Sequence, residues 1–294
     1  MIIDLHIHSK NSDGKLDVNN IVKEAKARNI TFMSITDHDS IGGQKEFLQI
    51  ATTKGIRGMS GVELNVTFSH KQYHQGKPFT LDFLGYNFDI ENQQLTHKLQ
   101  TMAEYREQRA QKILNNLNAE FQKEGIEKLT TADFTALQES VDGVLARPHI
   151  ADYLVKKGIV KSRQEAFDKY LVKCDVPKFP LYLPEASKLV RDAGGKLILA
   201  HPNDPHGTSL ISLTKSLQEQ AAIIESSMLD YIDGVECWHP RHDALSTQHY
   251  INFAKKHNLL MTGGSDCHQK PIVMGTVDIP RFVAEQIFSN KVHL

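Results

Sequence analysis

Seven short apolar runs alternate with amphipathic segments along this chain of 294 residues. Apolar runs of strand length separated by helical patterns are typical of βα units. This alternation constrains the fold most, because parallel strands need crossover helices that cover the sheet. We therefore predict an α/β fold with a largely parallel sheet. The runs lie at about residues 1 to 7, 30 to 36, 56 to 66, 78 to 88, 196 to 201, 233 to 239 and 259 to 266.

The middle of the chain departs from this alternation. Between the fourth and the fifth apolar run, long helical patterns such as LTHKLQTMAEYREQRAQKILNNLNAEFQKE replace the strand pattern. Because strand patterns resume afterwards, we interpret this segment as a helical insertion into one sheet domain. We expect the sheet domain to comprise residues 1–89 and 184–294, and a helical cap to comprise residues 90–183.

Charge and cysteine content restrict the partner and the compartment. The 34 basic and 35 acidic residues argue against a strongly basic surface, so a nucleic acid would be bound through a local patch. The three cysteines lack CxxC spacing, which gives no disulfide framework and disfavours a cysteine zinc cluster. No apolar stretch reaches membrane-spanning length and we recognise no signal peptide. We expect a cytoplasmic protein with no membrane association and no obligate protein partner.

Histidines and carboxylates fall at the ends of the predicted strands. His6 and His8 lie two residues apart in the first apolar run, so both side chains point to the same side of a strand and can bind one ion. In parallel α/β folds the carboxyl ends of the strands form one face, where active sites are built. We therefore expect one site built from distant segments. Its other candidates are Asp13, His38, Glu63, His201, His239, Asp266 and His268.

The residue types indicate the chemistry of this site. Imidazoles mixed with carboxylates, without a set of thiolates, suit Mn, Zn or Fe. More than four ligands indicate more than one ion. Clustered metal ions can generate hydroxide near neutral pH, polarise a phosphoryl oxygen and stabilise the leaving oxygen. Hydrolysis of a phosphate ester is the reaction that such a site serves best.

Six segments carry a family resemblance, namely DLHIHSKNSDG, SITDHDSIGG, GVELN, LILAHPND, DGVECWHP and TGGSDCH. Together they resemble the PHP (polymerase and histidinol phosphatase) superfamily. The resemblance implies a distorted seven-stranded (βα) barrel of PHP type that binds two or three divalent ions. The segment LARPHIADYLVKKGIVKSRQEAFDKYL is similar to the cap of a bacterial branch. This branch includes nucleoside 3',5'-bisphosphate phosphatases and 5'-3' exoribonucleases that act on short RNA.

The resemblance also implies three groups of metal ligands. A first ion would be bound by His6, His8, Glu63 and Asp266. A second ion would be bound by Asp13, His38 and His268. A third ion would share Glu63 and would use His201 with one residue of the fourth strand.

The fourth strand departs from the family pattern. Relatives usually carry histidine in a stretch like HIVGL, whereas the matching stretch here reads DFLGY and places Asp82 at that position. His74, in the apparent insertion SHKQYHQGKP, is an alternative. Aspartate is a competent ligand, so we favour Asp82 as the ligand and expect His74 to contact the substrate.

The expected mechanism is in-line attack on phosphorus by a metal-bridging hydroxide, while the metal ions neutralise the developing charge. We expect Asp266 to be a catalytic residue of this metal site. His201 or His239 could protonate the leaving oxygen, and the sequence leaves both open.

Several cationic side chains are candidates for binding the substrate phosphate. Arg147 and His149, in the segment ARPH, lie at a predicted helix start from which both could reach a phosphate. Lys178 and Arg241 are weaker candidates for the same role.

We therefore predict a metal-dependent phosphoric ester hydrolase. Its small phosphorylated substrate would be a nucleoside 3',5'-bisphosphate or the 5' end of a short RNA, and the choice between phosphatase and exonuclease stays open. One alternative is a metabolite phosphatase such as a histidinol phosphatase, which would need a pocket rather than an extended groove. Another is a non-catalytic metal-binding regulatory protein. The ARPH segment and the helical insertion favour the nucleotide-acting branch.

Overall fold

The computed structural model describes residues 1–139, 145, 147–177 and 179–289. The chain forms two compact units. The first unit comprises Met1–Leu99 and Pro180–Leu294, and the second unit comprises Gln100–Phe179. All strands of the described residues belong to the first unit. A helical cap at residues 90–183 stays a prediction.

Eight strands of the described residues form two sheets. The strands are β1 (Ile2–Asp4), β2 (Ile30–Ser34), β3 (Arg57–Met59), β4 (Gly61–Phe68), β5 (Phe79–Tyr86), β6 (Lys196–Leu199), β7 (Gly234–Trp238) and β8 (Leu260–Gly263). Their order is β1-β2-β3 in one sheet and β4-β5-β6-β7-β8 in the other. Strand β5 is antiparallel to β4 and β6, and the other neighbouring pairs are parallel. The prediction of an α/β fold is confirmed.

The predicted number of seven strands is wrong, because the third apolar run forms both β3 and β4. Ser60 separates them, and its hydroxyl donates a hydrogen bond to the Phe88 carbonyl at 2.7 Å. A Cβ atom at Gly61 would lie 2.1 Å from the hydroxyl oxygen of Ser34, so only glycine permits this close approach. The chain therefore leaves the first sheet at Ser60 and enters the second at Gly61.

Isolated parallel bridges connect the two sheets near the carboxyl ends of strands. Ile7, which follows β1, pairs with Cys267, which follows β8. His38, which follows β2, pairs with Glu63 on β4. Polar segments that are distant in sequence therefore meet at one place in the first unit.

Ten α-helices lie among the described residues. They are α1 (Val18–Ala27), α2 (Gln44–Thr53), α3 (Gln93–Glu124), α4 (Thr131–Glu139), α5 (Arg147–Lys156), α6 (Arg163–Ala166), α7 (Leu183–Asp192), α8 (Leu217–Ser227), α9 (Ala244–Lys256) and α10 (Phe282–Ser289). Asp17, Ser216 and Asp243 cap α1, α8 and α9, because each side chain accepts a hydrogen bond from a backbone N–H in the first turn. The helices that the structure describes are too short or too polar to cross a membrane.

Each unit has its own apolar core. In the first unit, Phe32 of β2 and Ile198 of β6 belong to one cluster of buried side chains between strands and α10. A second cluster covers the outer side of β2 with α1 and α2. In the second unit, buried residues of α3 and α5 pack together, including Phe121 and Leu154. The second unit thus buries its own apolar side chains.

Candidate metal centre

The first histidine pair lies just beyond β1. His6 and His8 flank the buried Ile7, and their ring centroids are 5.2 Å apart. Gly264, which follows β8, packs directly against this segment, since a Cβ atom there would lie 2.2 Å from the Cβ of His6. Glycine at this position therefore allows the ends of β1 and β8 to meet, which explains its place before Asp266.

Two further predicted residues, Glu63 and Asp266, converge on the His6–His8 pair. His6 Nε2 lies 3.3 Å from Glu63 Oε2 and 3.6 Å from Asp266 Oδ1. His8 Nε2 lies 3.2 Å and 3.3 Å from the same two oxygens. Among the described residues, neither Nε2 atom nor Glu63 Oε2 has a hydrogen-bond partner, although all three atoms are buried. Buried nitrogen and oxygen atoms arranged in this way fit a divalent cation.

The second predicted group is also brought together. His268 Nε2 lies 3.2 Å from Asp13 Oδ1, and His38 Nε2 lies 3.8 Å from Asp13 Oδ2. His8 joins this group, since its Nδ1 atom lies 3.6 Å from Asp13 Oδ1. Glu63 connects the two groups, because His38 Nδ1 lies 3.1 Å from its Oε2 atom.

The third predicted group is brought together only in part. His201 Nε2 lies 3.0 Å from Glu63 Oε1, and His6 is the third member of this group. Asp82 is buried on β5, but its Oδ1 atom accepts a hydrogen bond from the Asn65 side chain at 2.6 Å. Asp82 belongs to none of the potential metal groups found in the described chain.

A further group contains one residue that the sequence analysis missed. Asp204 lies with His239 and Asp266, each offering a ligand atom within 4.8 Å of the others. Arg241 connects its carboxylates: Nε donates to Asp204 Oδ1 at 2.7 Å, and Nη2 donates to Asp266 Oδ2 at 2.6 Å. Asp204 follows His201 in the segment AHPND, and it is fully buried. The sequence feature that could have indicated Asp204 is its position three residues after a histidine at a strand end.

A second residue missed by the sequence analysis is Glu236, in the middle of β7. Its Oε1 atom lies 3.0 Å from His6 Nδ1, and its Oε2 atom accepts the His201 backbone N–H at 2.7 Å. The sequence feature that could have indicated Glu236 is a lone acidic residue inside the otherwise apolar segment GVECW.

Two more buried carboxylates hold the loops of the site. Asp37 accepts hydrogen bonds from the Ser9 and Ser12 hydroxyls at 2.6 and 2.7 Å. Asp4 accepts from the Ser265 hydroxyl at 2.6 Å. These contacts fix the segments that carry the histidines.

The imidazoles and carboxylates of the candidate metal centre shift one another's pKa values. Burial lowers the pKa of His8, but the neighbouring carboxylates of Asp266 and Glu63 outweigh burial and raise that pKa to about 10. Burial also lowers the pKa of His201, but the hydrogen bond with Glu63 and the charge of that carboxylate outweigh burial and raise the pKa to about 9. Burial raises the pKa values of Glu63 and Asp266, yet the neighbouring imidazoles hold both well below their usual range. A cation that binds here must therefore displace protons from imidazole nitrogen.

The residues that the sequence analysis proposes for binding phosphate or substrate do not all lie in the same unit. Arg241 lies in the cluster described above. Arg147 begins α5 in the second unit, where it donates to Asp175 Oδ2 at 2.6 Å, and His149 lies on the same helix. His74 begins a 3₁₀ turn between β4 and β5, but its side chain lies outside the described residues, as does the whole of Lys178.

Comparison with known proteins identifies the family. A family model described as "PHP domain" matches residues 4–275. The chain belongs to the PHP domain family. Its predicted resemblance to this family is therefore confirmed.

Curated relatives of the chain are named as phosphoester hydrolases. A 3',5'-nucleoside bisphosphate phosphatase of Chromobacterium violaceum is 28% identical over 279 residues, which cover 90% of this chain and 87% of that protein. A 5'-3' exoribonuclease of Haemophilus influenzae is 32% identical over 206 residues, which cover 68% of each protein. The predicted reaction class, metal-dependent hydrolysis of a phosphoric ester, is confirmed by the family and these relatives.

Solved structures give the same assignment for the fold. A candidate metal-dependent phosphoesterase from Bifidobacterium adolescentis has a TM-score of 0.75 and 26% identity, and the match covers 99% of this chain and 97% of that one. An amidohydrolase from Chromobacterium violaceum with bound sulfate has a TM-score of 0.76 and 26% identity, with coverage of 98% and 96%. Both matches therefore cover almost the whole of this chain.

Proposed function

We propose that this protein hydrolyses a terminal phosphate ester of a nucleoside 3',5'-bisphosphate, or of the 5' end of a short RNA. The observation that carries the proposal is the convergence of three buried imidazoles on one buried carboxylate. His6, His8 and His201 each place Nε2 within 3.3 Å of a Glu63 oxygen. The names of the relatives from Chromobacterium violaceum and Haemophilus influenzae support the substrate class.

The proposed cofactors are two or three divalent ions of Mn, Zn or Fe. The first ion would be held by His6, His8, Glu63 and Asp266. The second would be held by Asp13, His38 and His268. The third would be held by Glu63 and His201. When bound, such ions supply a hydroxide nucleophile and polarise the phosphoryl group.

We propose Asp82 as the residue that completes the third group from β5. Its carboxylate is buried, and both burial and the nearby Glu63 raise its pKa. A cation next to the carboxylate would favour its charged form, which its present surroundings disfavour. His74 stays the alternative ligand or a substrate contact.

His239 is the better candidate of the two proposed proton donors. Its Nδ1 atom accepts the Arg241 backbone N–H at 3.3 Å, so the proton of the neutral ring is held on Nε2. This Nε2 atom lies 3.4 Å from Asp266 Oδ2, beside the first ligand group. His201, by contrast, directs Nε2 at Glu63 and would be occupied as a ligand.

Arg241 is the proposed phosphate-binding residue of the first unit. Its guanidinium is held by the buried Asp204 through Nε and Nη2, and its side chain is 39% exposed. An arginine fixed by a buried carboxylate presents its remaining donors in a defined direction, which suits a phosphate oxygen. Phosphate binding by Arg147, His149 and Lys178 stays a prediction.

We further propose that the two sheets together form the distorted barrel implied by the family. Two bridges support this: Ile7 to Cys267 connects the segments that follow the edge strands β1 and β8, and His38 to Glu63 connects the segment that follows β2 to β4. The helical cap at residues 90–183, the cytoplasmic location and the lack of an obligate protein partner also stay predictions.

The test compares three substrates with the manganese-loaded protein. Phosphate and nucleoside release are measured from adenosine 3',5'-bisphosphate, a 5'-phosphorylated short RNA and histidinol phosphate. We expect a higher kcat/KM for a nucleotide substrate, and the ratio between the two nucleotide substrates distinguishes phosphatase from exonuclease. A preference for histidinol phosphate would favour the metabolite phosphatase instead. No turnover of any substrate, with bound metal verified, would contradict the proposal and support a regulatory metal-binding role.

A further inference from the structure

Glu236 connects two histidines of the candidate metal centre, His6 and His201. It is fully buried in β7, and its two oxygens are used by different partners. Oε1 lies 3.0 Å from His6 Nδ1, while Oε2 accepts the backbone N–H of His201 at 2.7 Å. One carboxylate on β7 therefore links the segment after β1 to the segment after β6.

The contact between Glu236 and His6 determines which nitrogen of the His6 ring is available to bind a metal ion. Because His201 N–H donates to one oxygen of an ionised carboxylate, the other oxygen acts as an acceptor toward His6 Nδ1. The His6 ring therefore keeps a proton on Nδ1, and the lone pair of its neutral form lies on Nε2. This is the atom that faces Glu63 Oε2 at 3.3 Å. The orientation is the one that a metal ligand needs.

The contact with His201 holds a residue in an uncommon backbone conformation. His201 has a φ angle of 23°, and its N–H is fixed by Glu236 Oε2. In this conformation its ring stacks on His6 with centroids 5.6 Å apart, and its Nε2 lies 3.0 Å from Glu63 Oε1. Non-glycine residues adopt positive φ angles only where surrounding contacts stabilise them.

We infer that Glu236 is a positioning residue that holds His6 in its Nδ1-protonated form and His201 in its left-handed conformation, so that both present Nε2 to divalent ions. This inference rests on the proposed function only in requiring that the centre bind metal. Hydrogen-bond partners of metal ligands typically contribute about 10- to 100-fold to metal affinity.

The substitution Glu236→Gln tests this role with little change in volume. One oxygen becomes an NH2 group, so either His6 Nδ1–H or the His201 N–H must face another donor. We expect zinc affinity to fall by about 10- to 100-fold. Thr262→Val is the matched control, since Thr262 is buried on β8 directly opposite Glu236 and its hydroxyl has no hydrogen-bond partner among the described residues. It should bind zinc like the wild type.

The experiment uses the full-length chain, stripped of metal and titrated with zinc against a chromophoric chelator. Circular dichroism verifies that each variant is folded. In parallel, 15N NMR of the zinc-loaded wild type shows which nitrogen of His6 carries the proton, so the test does not depend on the folding of the variant. We expect a proton on Nδ1 that is protected from solvent exchange.

The outcomes separate this inference from the proposed function. Equal zinc affinity of folded Glu236→Gln and wild type, or zinc bound to His6 through Nδ1, would overturn the role of Glu236. A wild type that binds no zinc would overturn it as well. Weakened zinc binding by Glu236→Gln supports it even if the wild type hydrolyses no nucleotide, a result that would overturn the proposed substrate alone.

Discussion

Binding of the first divalent ion should release about two protons, because the ion displaces them from His6 and His8. Burial lowers the pKa of His6, but Glu236, Glu63 and Asp266 outweigh burial and raise it well above its ordinary value. The pKa of His8 is raised to about 10. Below these pKa values both rings carry a second proton in the metal-free protein. Metal affinity must therefore increase as the pH rises.

The structure gives the size of this effect. At pH 7, removing the extra proton from a His8 ring of pKa about 10 costs roughly 4 kcal/mol, at 1.36 kcal/mol for each of three pH units. Each displaced proton makes the apparent affinity rise about tenfold per pH unit below the pKa, so two protons give about 100-fold between pH 6.5 and 7.5.

Calorimetric titration with zinc in buffers of different ionisation enthalpy measures the number of protons released. His242→Asn is the matched control, because burial lowers the pKa of His242 to about 4, so this buried histidine has no second proton to release. The control should release as many protons as the wild type. Release of less than one proton by the wild type, or an affinity that does not change between pH 6.5 and 7.5, would refute the reasoning.

Three substitutions and one control variant test other parts of the account. Gly264→Ala would place a Cβ atom 2.2 Å from the Cβ of His6, so we expect a loss of about 1–3 kcal/mol or more in urea unfolding. Gly42→Ala, whose Cβ atom would have its nearest neighbour at 3.5 Å, should cost less than about 1 kcal/mol, and equal effects of the two would contradict the packing argument. Asp266→Asn should leave the fold intact and lower kcat by at least about 100-fold, and full activity would exclude Asp266 from the catalytic site. Arg241→Gln should raise KM for the nucleotide by about tenfold, roughly the net contribution of one charge-assisted hydrogen bond, and an unchanged KM would exclude phosphate binding by this residue.

The sequence predicts where strands lie along the chain better than it predicts where one strand ends and the next begins. The run at 56–66 reads as one strand because its apolar residues continue through Ser60. The break arises from tertiary contacts, namely the hydrogen bond from Ser60 to Phe88 and the close approach of Gly61 to Ser34. Periodicity carries no information about such contacts, so it predicts one strand where the structure has two strands in two sheets.

The convergence of the strand-end residues was predictable because the spacing of HxH and the ends of apolar runs reflect strand geometry directly. The structure brings His6, His8, Glu63 and Asp266 together as expected, while their roles as ligands stay proposals. Glu236 was not anticipated, because a single acidic residue within a strand has no periodic signal. Only the three-dimensional structure shows that this buried carboxylate lies beside the His6 ring.

The central claim is that this cluster is a metal centre that hydrolyses nucleotide phosphate esters. The most direct test measures phosphate release from adenosine 3',5'-bisphosphate by the metal-loaded protein, after complete removal of metal with a chelator, and after manganese is added back. The account predicts that hydrolysis is lost with the metal and returns when manganese is bound. Hydrolysis that continues at its original rate in protein verified to be free of metal would contradict it.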